Sequence, residues 1–543
     1  MSLLVVACLE AAVFFNANLH TGAGTPRGAD AIVVEDGRIR YIGPTSRALR
    51  RAPKAARHVD LHGATVVPGF TDAHAHLSGI GFRELEFDLT GTASLAELQR
   101  KLAARATTTT APWITGRGWL ESRWQPAAFP TRAALDAVVA DRPVLLERAD
   151  GHAAVANSRA LALAGVDAKT PDPAGGQILR DAHGEPTGML VDAAVALVGR
   201  LVPPPSAAEE LRALELGAAR SVRLGWTQLQ IAGNTRAEVG RLCTLYRDGR
   251  IKLRLYDAIG GPGEDAAQLL AGRIERQPCG DRYTVRAIKL YMDGALGSRG
   301  AALLAPYSDA PGSSGLLLNS EAALFPVLTE ALRRGIQIET HAIGDRANRI
   351  ALDLYQRAFA AVPRAERAIA EPRWRIEHAQ VLAPDDLPRF AALGVIASMQ
   401  PSHAIGDLYF APARLGPERL EGAYAWRSLL DSGAVVAAGT DAPVERGDPV
   451  MEFYAAAVRR SLDGFADANW HREERVSRAE ALRMLTWAPA YAAFEEHDRG
   501  TLEVGKLADF TVLSQDILTV PDEEILATRI EMTVIGGEIA FSK

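Results

Sequence analysis

The sequence predicts an α/β protein, a (β/α)8 TIM-like barrel with a small β-sandwich formed by both chain ends and an insertion after the first barrel strand. Three observations carry this. Short apolar runs followed by helical patterns recur eight times, the two ends carry similar β-rich patterns, and one interval between runs is far longer than the others.

The eight runs are VVPGFTDAHAH, GWTQLQI, KLRLYDAI, VRAIKLYMD, IQIETHAI, WRIEHAQ, VIASMQP and VVAAGTDAP. Segments such as SEAALFPVLTEALRRG and PDDLPRFAALG separate several of them with helical periodicity. Eight units point to a closed barrel, with strand one in 67–81 and the rest in 206–490. At the N-terminal end, AAVFFNANL and ADAIVVEDGRIRYIG read as strands, with Asp36-Gly37 as a hairpin turn. At the other end, Gly536-Gly537 separates two strand-like runs, so the ends are expected to pair into one sandwich.

Residues 82–205 intervene between the first two barrel runs, which exceeds any ordinary βα loop. This stretch holds the β-like runs PWITGRGW and PVLLERADG and leaves through LVPPPSAAEE, a boundary and helix start. Leaving from the C-terminal end of strand one, it is expected to act as a lid or substrate-recognition subdomain at the barrel mouth.

Composition narrows the function. The chain has 543 residues, 48% hydrophobic and 23% charged, with a formal net charge of −6, which places it with globular enzymes rather than disordered chains. No long basic block is present, so neither nucleic acid nor an anionic membrane is an expected partner. No run approaches the roughly 18 apolar residues of a membrane span. The start, MSLLVVACLEAAVFFNA, lacks a basic n-region and carries Glu10, which argues against a secretory signal. Cys8, Cys243 and Cys279 are too scattered for a disulfide framework, so free thiols and a cytoplasmic location are expected. The expected partner is a small-molecule substrate, with a homodimer as a candidate assembly.

The chemistry is carried by strand ends. His74 and His76 lie two apart on one extended run, so both rings project to one side. His341 ends IQIETH, His378 ends WRIEH and Asp441 ends VVAAGTD, each where a barrel strand delivers its side chain to the mouth. Imidazole and carboxylate suit zinc or a related divalent ion with one position left for water. Asp441 is then placed to act as general base toward that water. Lys289 on the fourth strand stays open between an ion-paired lysine and a desolvated amine that reacts with carbon dioxide to give an anionic bridging carbamate.

Several stretches together resemble the amidohydrolase superfamily, in the branch typified by N-substituted formamide deformylase. They are VVPGFTDAHAHL, RADGHAAVANSRAL, IKLYMDGALGSRGAAL, ETHAIGDRAN, RIEHAQ, ASMQPSHA, GTDAPVE and GTLEVGKLADFTVL. The resemblance implies a sandwich from residues 1–66 and 491–543, and hydrolysis of amide-like bonds. It implies one or two divalent ions, with zinc expected: His74, His76 and Asp441 on one, His341 and His378 on the other, and N6-carboxylated Lys289 as the bridge. Ala153 and Ala442 stand where the branch more often has bulkier residues, which bears on substrate shape. Asp293, Ser298, Arg299, Arg346, His403 and His152 are candidate substrate-binding residues, each equally readable as loop capping, ion pairing or a structural histidine. Two other functions use the same frame: a metal-dependent lyase that stabilises a carbanion, and a non-catalytic small-molecule binder.

Overall fold

The computed structural model describes residues 11–121, 124–148, 153–173, 176–462 and 470–543. Two compact units emerge, one comprising Met1–Gly81 with Leu214–Lys543, the other Phe82–Ala213.

The first unit holds the barrel. Its strands are Phe70–Ala75, Trp226–Asn234, Arg254–Gly260, Tyr283–Tyr291, Gln337–Ala342, Arg375–His378, Ile396–Met399 and Val436–Ala438, the eight runs singled out in the sequence. They form one sheet in sequence order, parallel throughout. The ring closes between strands eight and one: a parallel bridge joins Ala75 to Ala442, and Asp441 N donates to His74 O at 2.7 Å. Gly439 permits this seam, since a Cβ there would lie 2.4 Å from His74 N and 2.8 Å from Asp72 Oδ1.

Helices pack outside the strands for legible reasons. Glu321–Arg334 begins where Ser320 accepts from Ala323 N and stops at Gly335, whose φ of 65° is left-handed. Leu387–Leu393 stops in the same way at Gly394. The barrel interior is less conventional. Layers of branched apolar residues usually fill such a core, yet Arg375, Glu339 and Glu377 are all buried. Arg375 Nε lies 2.7 Å from Glu377 and its Nη1 3.2 Å from Glu339, so the charges enter as a paired group rather than singly.

Both chain ends build the sandwich. Strands Arg38–Gly43, Ala31–Glu35, Ala12–Phe15 and Arg57–Asp60 make one sheet; Asn18–Leu19, Thr65–Pro68, Phe510–Leu513, Ile530–Ile535 and Glu538–Ser542 make the other. Phe14, Val34, Val66, Phe510 and Val534 share the core between them, with the Phe14 and Phe510 rings edge-to-face at 4.9 Å. Asp36-Gly37 and Gly536-Gly537 turn the expected hairpins, all four residues having positive φ.

The unit Phe82–Ala213 has its own six-stranded sheet, ordered Gly176–Arg180, Pro186–Asp192, Ala153–Ala156, Val144–Arg148, Ile114–Trp119, Phe87–Asp88. Successive residues of one strand serve opposite faces: Leu146 packs with Leu98, Trp119 and Trp124, while Leu145 packs with Leu161 and Leu190. The sheet is therefore covered on both sides.

The structure corrects one sequence-based expectation. Cys243 and Cys279 are joined in a disulfide rather than left as free thiols. They lie 36 positions apart, so no local spacing announces the pairing; only the fold of helix Arg236–Arg247 against the approach to strand four brings them together. Among the described residues, no helix is long and apolar enough to cross a membrane.

Candidate metal centre

Register explains how the site assembles. Lys289 pairs with Glu339, Tyr291 with His341, and Ala342 with His378, so neighbouring strands bring their polar residues to one level. His74 and His76 follow at the end of strand one, and the seam brings Asp441 beside them. His74 Nε2 lies 3.5 Å and His76 Nε2 3.1 Å from Asp441 Oδ1. Ligand atoms of these three residues fall within 4.8 Å of one another. Ring centroids of His341 and His378 are 4.5 Å apart, and those of His74 and His378 4.9 Å apart. Lys289 Nζ sits 3.2 Å from His74 Nε2. The six residues expected to bind metal are thus brought together.

The backbone is bent to do this. His378, Ala379 and Asp441 have φ of 73°, 42° and 55°, a region that side chains with a Cβ adopt at a cost. Two of the three are candidate ligands.

Electrostatics favour ligand forms. Burial, reinforced by the Lys289 charge, lowers His74 to about 4 and His341 to about 3; burial also drives His378 well down. These imidazoles are neutral at pH 7, as metal binding requires. Burial acts to raise Asp441, but the His76 hydrogen bond and the adjacent His74, His378 and His403 imidazoles hold it well below the usual carboxylate range. Burial lowers Lys289 against the pull of Glu377, Asp441 and Glu339.

The donor set fits a divalent cation. Among the described residues, His341 Nε2 and His403 Nε2 are buried without a hydrogen-bond partner, a costly state for a polar nitrogen unless something binds it. Orientation of the rings is fixed from behind. His74 Nδ1 meets Glu377 at 2.5 Å and His378 Nδ1 meets Gln400 at 2.7 Å, the support that ligating histidines characteristically have.

Of the candidate substrate residues, His403 lies 3.9 Å from Asp441, its ring stacked 6.0 Å from that of His378. Asp293 is buried and accepts from the backbone N–H groups of Ala302, Ile343 and Gly344 at 2.8–3.0 Å, with His341 Nε2 at 3.5 Å; it ties two mouth loops together. Arg299 is bidentate on Asp309, and the Ser298 hydroxyl donates to Ala295 O, so both serve their own loops. Arg346 is exposed at the start of helix Asp345–Ala361. His152 lies outside the described residues.

Sequence reasoning missed Glu377, Arg375, Asp72 and Gln400. Asp72 accepts from Thr440 N at 2.9 Å, Thr440 Oγ1 at 2.6 Å and His74 N at 3.1 Å, which pins strand one to strand eight. The signal for Arg375 and Glu377 was present: in RIEH they alternate with Ile376 and so share a face.

Residues 57–541 match the Amidohydrolase family. The chain is 32% identical over 527 residues to YtcJ of Bacillus subtilis, covering 95% of this chain and 96% of that protein. It is 30% identical over 547 residues to N-substituted formamide deformylase of Arthrobacter pascens, covering 98% of each. An uncharacterized metal-dependent hydrolase of Pyrococcus horikoshii superposes with a TM-score of 0.76 at 26% identity, covering 95% of this chain and 99% of that one. With a barrel and a histidine-carboxylate cluster of this kind at the strand ends, the chain belongs to the amidohydrolase family and is a hydrolase.

Proposed function

We propose that the protein hydrolyses an amide-like C–N bond, in an amide, formamide or cyclic amide, of a small molecule. The observation that carries this reading is the convergence of His74, His76 and Asp441 within 4.8 Å, with the carboxylate held ionised. His74, His76 and Asp441 would hold one divalent ion, and His341 with His378 a second. A bound ion of this type, for which zinc suits the nitrogen and oxygen donors, supplies a Lewis acid that acidifies water and polarises the carbonyl under attack. Asp441 takes the proton of the attacking water and returns it to the leaving nitrogen, as a general base and then acid. Lys289, whose pKa burial lowers, would react with carbon dioxide, with loss of a proton, to form the carbamate that bridges the two positions, since a carbamate is an anion where an ammonium would repel the ions. The deformylase among the relatives makes N-substituted formamides the first substrates to try.

The test pairs metal analysis with turnover on a panel of N-formyl, N-acyl and cyclic amides. Asp441→Asn should lower turnover by about 10²–10⁴-fold; a variant that turns over like the wild type would remove Asp441 from the mechanism. Metal stoichiometry near two supports the bridging role of Lys289, and a stoichiometry of one counts against it.

A further inference from the structure

A polar cavity lies at the end of the barrel strands opposite the histidine cluster. It has a volume of about 510 Å³, within the range of small-ligand sites. Gln228, Arg254 and Thr284 from the N-terminal ends of strands two, three and four contribute to its wall. Six arginines and three carboxylates line it, an excess of positive charge in a concave, partly desolvated space.

Most of these arginines are already engaged. Arg254 is held by buried Asp509 at 2.8 Å and Arg38 by Asp498 at 2.8 Å, while Arg276 donates only Nη2, to the carbonyls of Arg334 and Gly335, and has no carboxylate partner among the described residues. Arg286 differs. It makes no hydrogen bond or ion pair among the described residues, and its Nε is sealed from solvent. Its guanidinium lies 3.9 Å from the centroid of the Phe494 ring, and Phe494 holds a φ of 64° to present that ring. Strand four also bulges here: Val285 pairs with Asp257 and Ala287 with Ala258, which leaves Arg286 as the extra residue. Bulges of this kind re-aim a side chain and recur beside functional sites. Burial, with Arg276 and Arg373 nearby, lowers the Arg286 pKa against the pull of Tyr256 and Glu495, so the negative groups around it do not offset its desolvation.

We propose that this cavity binds a small organic anion bearing a phosphate or carboxylate group, with Arg286 as its principal contact and Arg276 as a second. Guanidinium recognises either group through paired charge-assisted hydrogen bonds. The site is separate from the metal centre, because Arg286 sits at the fourth position of the strand on which Lys289 is seventh, about 10 Å further along.

Isothermal titration of the full-length protein with inorganic phosphate and, separately, with succinate tests this. At least one should bind saturably, and which one does so tells the phosphate-bearing source from the carboxylate one. Arg286→Gln should weaken that binding by about tenfold or more while amide turnover stays at the wild-type level. Arg276→Gln, on an exposed loop, should weaken it too and keeps the test alive if Arg286→Gln does not fold. Absence of saturable binding by either anion overturns the proposal. So does binding that survives both arginine substitutions but is lost in His76→Ala, because the anion would then be seated at the histidine cluster.

Discussion

At the scale of single residues, the candidate metal centre rests on groups outside its proposed ligand set. Glu377 accepts from His74 Nδ1 and also neutralises Arg375. Burial acts to raise its pKa, but Arg375 and His74 together hold it at about 2. Glu377→Gln should therefore weaken metal affinity by about 10–100-fold, read by competition with a chelator; unchanged affinity would show that His74 is oriented by other means. Asp257 gives a pH prediction away from the metal. Burial raises it to about 8 against hydrogen bonds from Tyr283 at 2.5 Å and Asn234 at 2.9 Å. Its folded pKa lies above the unfolded value near 3.8, so its contribution is fully present below that value and is lost as pH rises through 8. Asp257→Asn removes this loss. Relative to wild type, the variant should gain up to about 1.4 kcal/mol per pH unit between pH 4 and 8, measured by urea denaturation at several pH values; parallel stability curves would sink the assignment.

At the scale of elements, much of the site could be read from the sequence because strands impose a period of two. His74 and His76 share a face for that reason, and the ends of IQIETH and WRIEH arrive at the mouth because parallel strands end together. Arg375 and Glu377 were harder to see. Strands buried on both faces usually read as unbroken apolar runs, and a charge pair there looks like a surface feature until the barrel encloses it. The Cys243–Cys279 link was invisible for another reason: its partners lie on different elements, 36 residues apart. That separation makes it consequential, since closing such a loop restricts the unfolded chain. Cys243→Ser should cost about 2–4 kcal/mol, and a reducing agent should lower the denaturation midpoint of the wild type but not of the variant. The seam between strands one and eight is equally specific. Gly439→Ala forces a Cβ against His74 N, which nearby backbone cannot easily yield, so the purified variant should carry less metal than wild type even where it remains folded.

At the scale of the whole molecule, the chain divides its stability unequally. The sandwich is made from both ends, so it closes only after everything between has been synthesised, and it is tied to the barrel by the buried Arg254–Asp509 pair. Among the described residues, the sheet of the unit Phe82–Ala213 is built from one continuous segment. Its six strands pair only with one another in the sheet, and apolar clusters cover both faces of that sheet with residues of the same segment. The buried Asn157 even satisfies Val144 N, Val139 O and Arg142 O from within it. A segment of this length that supplies its own core meets the requirement for independent folding. Residues 82–213 expressed alone should therefore be soluble and show one cooperative thermal transition with the circular dichroism of a mixed α/β fold. A chain that exposes apolar surface to a hydrophobic dye and melts without a transition would mean that the barrel supplies part of its stability. The reciprocal experiment, replacing 82–213 by a short linker, would then decide whether that dependence runs both ways.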